Sequence, residues 1–360
     1  MARDISRGFA ARLMRWQSRH GRHDLPWQGT RDAYRVWLSE IMLQQTQVAT
    51  VIGYYERFLA RFPDVLSLAR AEQDEVLRVW AGLGYYSRAR NLHRAAGMVV
   101  SDLGGSLPRS REALERLPGI GRSTAAAIAA FAFGRKEAIL DGNVKRVLSR
   151  HFAIRGDPGD AQVSSKLWRL AETLLPARGI ERYTQALMDL GAMVCTRSDP
   201  ACAICPLRVT CRARALGRPT AFPSPRPRKP PPVRATAMLV LERAGEVLLE
   251  KRPPAGIWGG LWSLPEMPFD GDASAYCAAQ LGCEIAGIKE LARLRHAFTH
   301  FTLDIHAYRC EVIRVVPQAC EARSLWLGID EAVSAAVPAP VKRLLLRVAA
   351  MQAAPRATPL

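Results

Sequence analysis

Four cysteines fall within 17 residues, in the pattern Cys195-x6-Cys202-x2-Cys205-x5-Cys211. Thiolates this close hold a metal centre, either tetrahedral zinc or a four-iron cluster, and thiolate chemistry alone does not choose between them. Arg197, Arg208, Arg212 and Arg214 lie in or beside the loop, so fixing it presents a basic surface. Glu40 is a second candidate for chemistry. Its neighbours at helical spacing are Val36, Trp37, Leu43 and Gln44, and none carries a positive charge. If that face is buried, desolvation raises the carboxyl pKa and keeps it protonated near neutrality, as a general acid requires. If it is not, Glu40 is a surface glutamate. Asp141, in Leu140-Asp-Gly-Asn-Val144, reads either as the N-cap of a helix over Asn143–Arg150 or as a second functional carboxylate.

The stretch from Leu117 to Arg146 must position Asp141. Glu112–Leu117 has apolar residues three apart and predicts a helix that Pro118 ends. Gly119 and Gly121 permit a tight turn open to a ligand. A second helix starts near Arg122 and runs through an alanine-rich segment. Its first N–H groups lack partners within the helix and form a docking point for phosphate. This is a helix–hairpin–helix signature over about 111–133, which grips a nucleic-acid backbone without reading bases; the alternative is an ordinary helix connection. A clamped phosphate would bring DNA close to Asp141. Glu40 sits on a helix predicted over Tyr34–Leu43, ended by Gln44-Gln-Thr-Gln47. Gly82-Leu-Gly-Tyr-Tyr-Ser-Arg-Ala-Arg90 interleaves aromatic and basic residues after a glycine turn. That mix suits a ring entering a base stack, or equally a helix start with core tyrosines.

The chain has 360 residues, room for two domains, and a net charge of +18, which points to a polyanionic partner. No apolar run approaches the roughly 20 residues of a membrane span, and the N-terminus lacks a secretory pattern. A cytosolic, unsecreted, reducing location is expected, nucleoid-associated in a bacterial source, where eight cysteines do not form a disulfide framework.

Helical patterns run through residues 1–217, including Ile5, Phe9, Leu13 and Trp16 at the start. Residues 218–234 are a Pro/Arg-rich, extended, semi-rigid linker. Residues 235–352 have α+β patterning: a hairpin over Ala235–Arg243 and Glu246–Arg252, a strand within Phe301–Val312, and helices over Ser274–Leu281 and Val341–Met351. Residues 353–360 form a tail. Cys277, Cys283, Cys310 and Cys320 are scattered through this half and read as packing residues.

Taken together, these motifs resemble the MutY adenine DNA glycosylases of the endonuclease III superfamily. The likeness rests on Trp37–Gln47, Gly82–Ser87, Leu117–Gly121, Leu140–Val144 and the cysteine spacing, with His296–Phe301 near the C-terminus. It implies a multi-domain protein: an all-α helix–hairpin–helix glycosylase domain with an iron–sulfur loop at 195–211, and an α+β Nudix-like domain. The family excises adenine opposite 8-oxoguanine in base excision repair. The resemblance implies that Glu40 protonates adenine N7. Asp141 then stabilises the sugar cation, and Asn143 orients Asp141 and the attacking water. It implies a [4Fe–4S] cluster on the four cysteines. Gln45 and Tyr85 would insert at the lesion, and Leu25, Trp27, Leu43 and Thr46 would line the lesion site or base pocket. Gly119 and Gly121 would hold backbone phosphate.

Bifunctional relatives carry a lysine where this chain has Ser123, so a monofunctional glycosylase is expected. In the C-terminal domain Gly260–Glu266 is what remains of a Nudix start. The metal-binding Arg-Glu and Glu-Glu carboxylates are absent from Ala273–Glu284, so nucleotide hydrolysis is not expected. Phe298-Thr299-His300 would recognise 8-oxoguanine, with threonine where the family often has serine. The family often has arginine near positions 23 and 28, where His23 and Gln28 stand; those contacts are not carried over. The expected partner is duplex DNA with A:8-oxoguanine or A:G mispairs, bound by a monomer. An endonuclease III-like glycosylase–lyase is opposed by Ser123 and the extra domain. A non-catalytic damage sensor is opposed by the presence of both carboxylates.

Overall fold

The structure, a computed structural model, describes residues 2–224, 230–315 and 324–353, with side chains from residue 8. Part of the linker (225–229), Cys320, the end of the tail and the Ile5 side chain lie outside the described residues. The chain divides by packing into two compact units. One takes in Met1–Arg70 and Asn91–Arg228; the other takes in Ala71–Arg90 and Lys229–Leu360. The second unit therefore includes a segment that lies within the helical part of the sequence.

The first unit is helical. It contains α1 (Ala2–His20), α2 (Ala33–Met42), α3 (Val48–Arg61) and α4 (Val65–Arg70). After an intervening α5 (Gln73–Trp80), which belongs to the second unit, come α6 (Ser87–Asp102), whose first turn through Arg90 also belongs to that unit, α7 (Arg111–Glu115), α8 (Arg122–Phe133) and α9 (Gly142–Phe152). Then follow α10 (Ala161–Thr173), α11 (Ile180–Asp189), a π-helical turn over Leu190–Val194 and α12 (Arg212–Ala215). Asp32 starts α2 by accepting the Tyr34 and Arg35 N–H groups. Ala125 to Ala130 of α8 are all buried, because small side chains let neighbouring helices close around it on every side. The core joins Phe9 and Leu13 of α1 to Val144, Val147 and Leu148 of α9, and to Tyr183 and Leu187 of α11.

The second unit is built on a sheet ordered β3-β2-β1-β6-β5, with β4 on β1 and β7 on β2. The strands are β1 (Val233–Arg243), β2 (Glu246–Lys251), β3 (Trp262–Ser263), β4 (Glu266–Met267), β5 (Cys283–Ala297), β6 (Thr302–Val315) and β7 (Ser324–Gly328). The β1–β6 pair is parallel and the rest are antiparallel. Helices α13 (Ala273–Gln280), α14 (Ile329–Ser334) and α15 (Ala339–Ala353) complete it. Cys277, Cys283 and Cys310 are buried in one cluster with Leu239 and Leu241, the packing role expected for them. Four strands escaped the sequence patterning, and two of them, β3 and β4, are only two residues long. β5 is an edge strand with register shifts at Glu284, Ile285 and Glu290, so its side chains do not alternate cleanly. β7 is five residues long and only part-buried.

Candidate active site

The end of α2 sets the first carboxylate. Val36, Trp37, Leu38, Ile41 and Met42 are buried around it, leaving Glu40 to face a cavity of about 630 Å³ in the helical unit. Leu25, Trp27 and Leu43 line the same cavity, and Thr46 does not. Glu40 is part-buried and lines that cavity. Burial pushes its pKa up to about 8, and the negative charge of Asp141 adds to the rise. The structure therefore brings together two carboxylates about a hundred positions apart.

Asp141 is the N-cap of α9. Its Oδ1 accepts the Val144 N–H at 2.8 Å, and Asn143 Nδ2 lies 3.4 Å from its Oδ2. Burial raises its pKa, while the Val144 N–H, Arg146 and the Asn143 contacts pull it down. Those donors favour the carboxylate, and Glu40 has none of them, so Asp141 ionises first and its charge holds the proton on Glu40. Arg146 Nη2 donates to Asn143 Oδ1 at 2.8 Å and to Gly191 O at 2.6 Å, which fixes the Asn143 amide. A Cβ on Gly191 would lie 2.5 Å from that of Asn143, so the π-helical turn can pass there only as glycine. Ser123 Oγ accepts the Leu140 N–H at 2.9 Å, bracing the residue before Asp141.

The hairpin between α7 and α8 forms as the glycines require. Gly119 has φ +81, and a Cβ there would meet Asn91 at 2.9 Å. Gly121 begins α8 with no side chain capping its first N–H groups. Gln44 Nε2 donates to Gly119 O at 3.3 Å and Thr124 Oγ1 at 3.2 Å, tying the end of α2 to the hairpin. Gln45 is exposed with φ 58, and its neighbour Thr46 is half-buried with Oγ1 3.4 Å from Gln44 O. A non-glycine residue in the left-handed region stores strain that the surroundings must hold, and such strain clusters where a side chain is presented to a ligand.

Sequence reasoning missed part of the cavity wall. Arg22 and Gln185 both line it, and both bind the fully buried Asp189: Arg22 Nε donates at 2.7 Å and Gln185 Nε2 at 2.9 Å. Arg22 and Asp189 are 167 positions apart, so no local pattern could signal the pair.

Cys195, Cys202, Cys205 and Cys211 line one small pocket in this unit. Arg150 lies beside it, with Nη1 3.4 Å from Cys195 Sγ and further bonds to Thr196 O and Arg197 O. Among the described residues no three or more His, Cys, Asp or Glu are disposed to hold a single metal ion. Four thiols around one pocket are a donor set that suits a tetrahedral zinc or a four-iron cluster.

In the second unit another cavity, about 370 Å³, is lined by Tyr85, Trp258, His296, Phe298 and Thr299. Tyr85 OH lies 3.4 Å from Thr299 Oγ1. Thr299 and His300 form a two-residue turn between β5 and β6, closed by the Phe298 N–H on Phe301 O at 2.8 Å. The Phe298 ring packs on Phe301 at 4.7 Å, His296 at 4.6 Å and Trp258 at 5.3 Å, holding the turn from below. Thr299 and His300 themselves are exposed.

A family model described as HhH-GPD superfamily base excision DNA repair protein matches residues 38–173, and one described as NUDIX domain matches 236–347. The adenine DNA glycosylase of Buchnera aphidicola subsp. Baizongia pistaciae is 34% identical over 341 residues, covering 94% of this chain and 96% of its own. The chain belongs to the adenine DNA glycosylase family. The human adenine DNA glycosylase is 36% identical over 412 residues, 95% of this chain and 74% of its own. Among solved structures, a thermostable thymine-DNA glycosylase superposes with a TM-score of 0.54 at 31% identity, over 60% of this chain and 97% of that one. The family's two-part architecture, a helix–hairpin–helix helical region and a Nudix-like region, is the one seen here. No helix among the described residues is long and apolar enough to cross a membrane.

Proposed function

We propose that this chain is a monofunctional DNA glycosylase that removes adenine mispaired with 8-oxoguanine or guanine from duplex DNA, acting as a monomer. The observation that carries this reading is Glu40, kept protonated by burial and by the charge of a nearby Asp141. Adenine leaves poorly as an anion. With the adenine flipped from the stack into the cavity lined by Trp27 and Leu43, the Glu40 proton passes to N7. The C1′–N9 bond then breaks with its electron pair going to a neutral base. The sugar is left as a cation beside the Asp141 carboxylate. Water oriented by Asn143 and Asp141 adds to C1′ and loses a proton to a carboxylate, giving free adenine and an abasic site. Gln45 and Tyr85 fill the space in the duplex, Leu25 and Thr46 contact the displaced base or lesion, and Gly119 and Gly121 hold a phosphate. Phe298, Thr299 and His300 meet the 8-oxoguanine. Release of adenine from a duplex with A opposite 8-oxoguanine, read as alkali-labile breaks, tests the whole reading; no release from that substrate overturns it.

Ser123 bears on the outcome after excision. Its hydroxyl cannot form a Schiff base, and it is already bonded to the Leu140 N–H. We expect strand breaks only after alkali. Efficient nicking by the protein alone, seen on a denaturing gel, would contradict this.

Cys195, Cys202, Cys205 and Cys211 would hold a [4Fe–4S] cluster, which supplies covalent cross-links that fix the arginine-bearing loop. Arg150 braces that loop through Thr196 O and Arg197 O. Protein purified without oxygen should be brown with broad visible absorption and about four irons per chain. A colourless product with one zinc would reverse the assignment.

A further inference from the structure

Ala71–Arg90 packs with the C-terminal region, and Asp74 makes two of the bonds that join them. Asp74 lies in the first turn of α5. One of its oxygens pairs with Lys251 Nζ at the end of β2, and the other accepts from Trp262 Nε1 on β3 at 3.2 Å. Lys251 and Trp262 are register partners, and the ammonium sits 4.7 Å from the indole centroid. A single carboxylate thus grips two adjacent strands. Close beside it, Arg90 donates to Gly259 O. Gly260 has φ +77, and a Cβ there would sit 3.5–3.6 Å from Gln73, Arg90 and Leu77, so the segment is seated directly on this backbone.

From that anchor the segment is stiff up to Tyr85. Trp80 Nε1, at the end of α5, donates to Gly84 O at 3.1 Å. Arg88 Nη2 donates to Gly84 O at 3.2 Å and to Leu83 O at 3.3 Å, and its guanidinium lies 5.4 Å from the Tyr85 centroid. Tyr85 is held at φ 49 and reaches to 3.4 Å from Thr299.

We infer that Asp74 is a positioning residue, fastening the segment that bears Tyr85 to the sheet that bears Thr299 and so fixing the width of the cavity between them. That this cavity takes an oxidised purine rests on the function proposed above; the spacing role does not.

The test uses the full-length protein with Asp74→Ala, Lys251→Met and the double variant. In the free protein, amide hydrogen exchange at 82–86 and 298–301 should quicken about tenfold in each single variant, the scale of one lost charged hydrogen bond. The double variant should add little to Asp74→Ala, because that change already removes the Lys251 contact along with the Trp262 bond. KM for A opposite 8-oxoguanine should rise about tenfold on the same scale, with kcat and the rate on A:G little changed. Unchanged exchange at both sites, or single effects that simply add, overturns the inference. Quickened exchange in a protein whose wild type does not prefer 8-oxoguanine to guanine leaves Asp74 in its role and overturns the lesion reading instead.

Discussion

Glu40→Gln is expected to abolish adenine release, with a loss of about 10³-fold in single-turnover rate, because the amide keeps the shape and removes the proton. The pH dependence follows from the same group. Glu40 donates only while protonated, so the wild-type rate should hold up to about pH 8 and fall about tenfold per unit above it. At the acid end the rate falls as Asp141 takes up a proton, at a pH above the ordinary aspartate range. A rate that kept rising through pH 9 would remove Glu40 as the acid. Stability should fall with rising pH too, but over a lower range. The folded pKa is raised, so the contribution from a neutral Glu40 is complete below the unfolded value of 4.5 and is lost as pH rises toward 8. The amide of Glu40→Gln does not titrate and carries no such loss. The variant should therefore melt like wild type at pH 4.5 and higher than wild type at pH 9, by an amount on the order of a few kcal/mol. Thermal scans at the two pH values measure it, and equal midpoints at pH 9 would mean that Glu40 is solvated.

What the sequence discloses about this site depends on how local each feature is. The cysteine spacing and the glycine hairpin are local, and both are found where the patterns put them. Glu40 is half legible. The absence of a basic residue at helical spacing is in the sequence, but the choice between a surface and a buried carboxylate belongs to tertiary packing. Burial does most to raise the Glu40 pKa, and the added charge comes from Asp141, at the start of another helix. Arg22 with Asp189, and Asp74 with Lys251, are pairs 167 and 177 positions apart, and no window could pair them. The edge strand β5 failed for a different reason: bulges break the period of two that marks a strand. Residue roles are another matter. Nothing in the spacing of Gln45 or Thr299 names a lesion; those roles are what the family likeness implies.

Asp141 does two jobs, and substitution can separate them. Its Oδ1 caps α9 through the Val144 N–H, and its charge faces the reacting sugar in the proposed mechanism. Asparagine caps a helix about as well as aspartate, whereas alanine costs about 1 kcal/mol. Asp141→Asn should therefore melt close to wild type, and Asp141→Ala measurably lower. Both should lose about 10³-fold in excision rate, the scale of removing one preorganised electrostatic group from a closed site. If Asp141 were only a cap, the asparagine variant would keep nearly full activity. A second readout does not depend on turnover. One of the two causes that raise the Glu40 pKa disappears with the Asp141 charge, so in Asp141→Asn the Glu40 pKa falls below about 8, though burial still holds it above 4.5. The pH range over which stability declines should narrow from its alkaline end. An unshifted decline would mean that the two carboxylates do not sense one another; the proton on Glu40 would then rest on burial alone, and Asp141 would be too remote to share one substrate sugar with it.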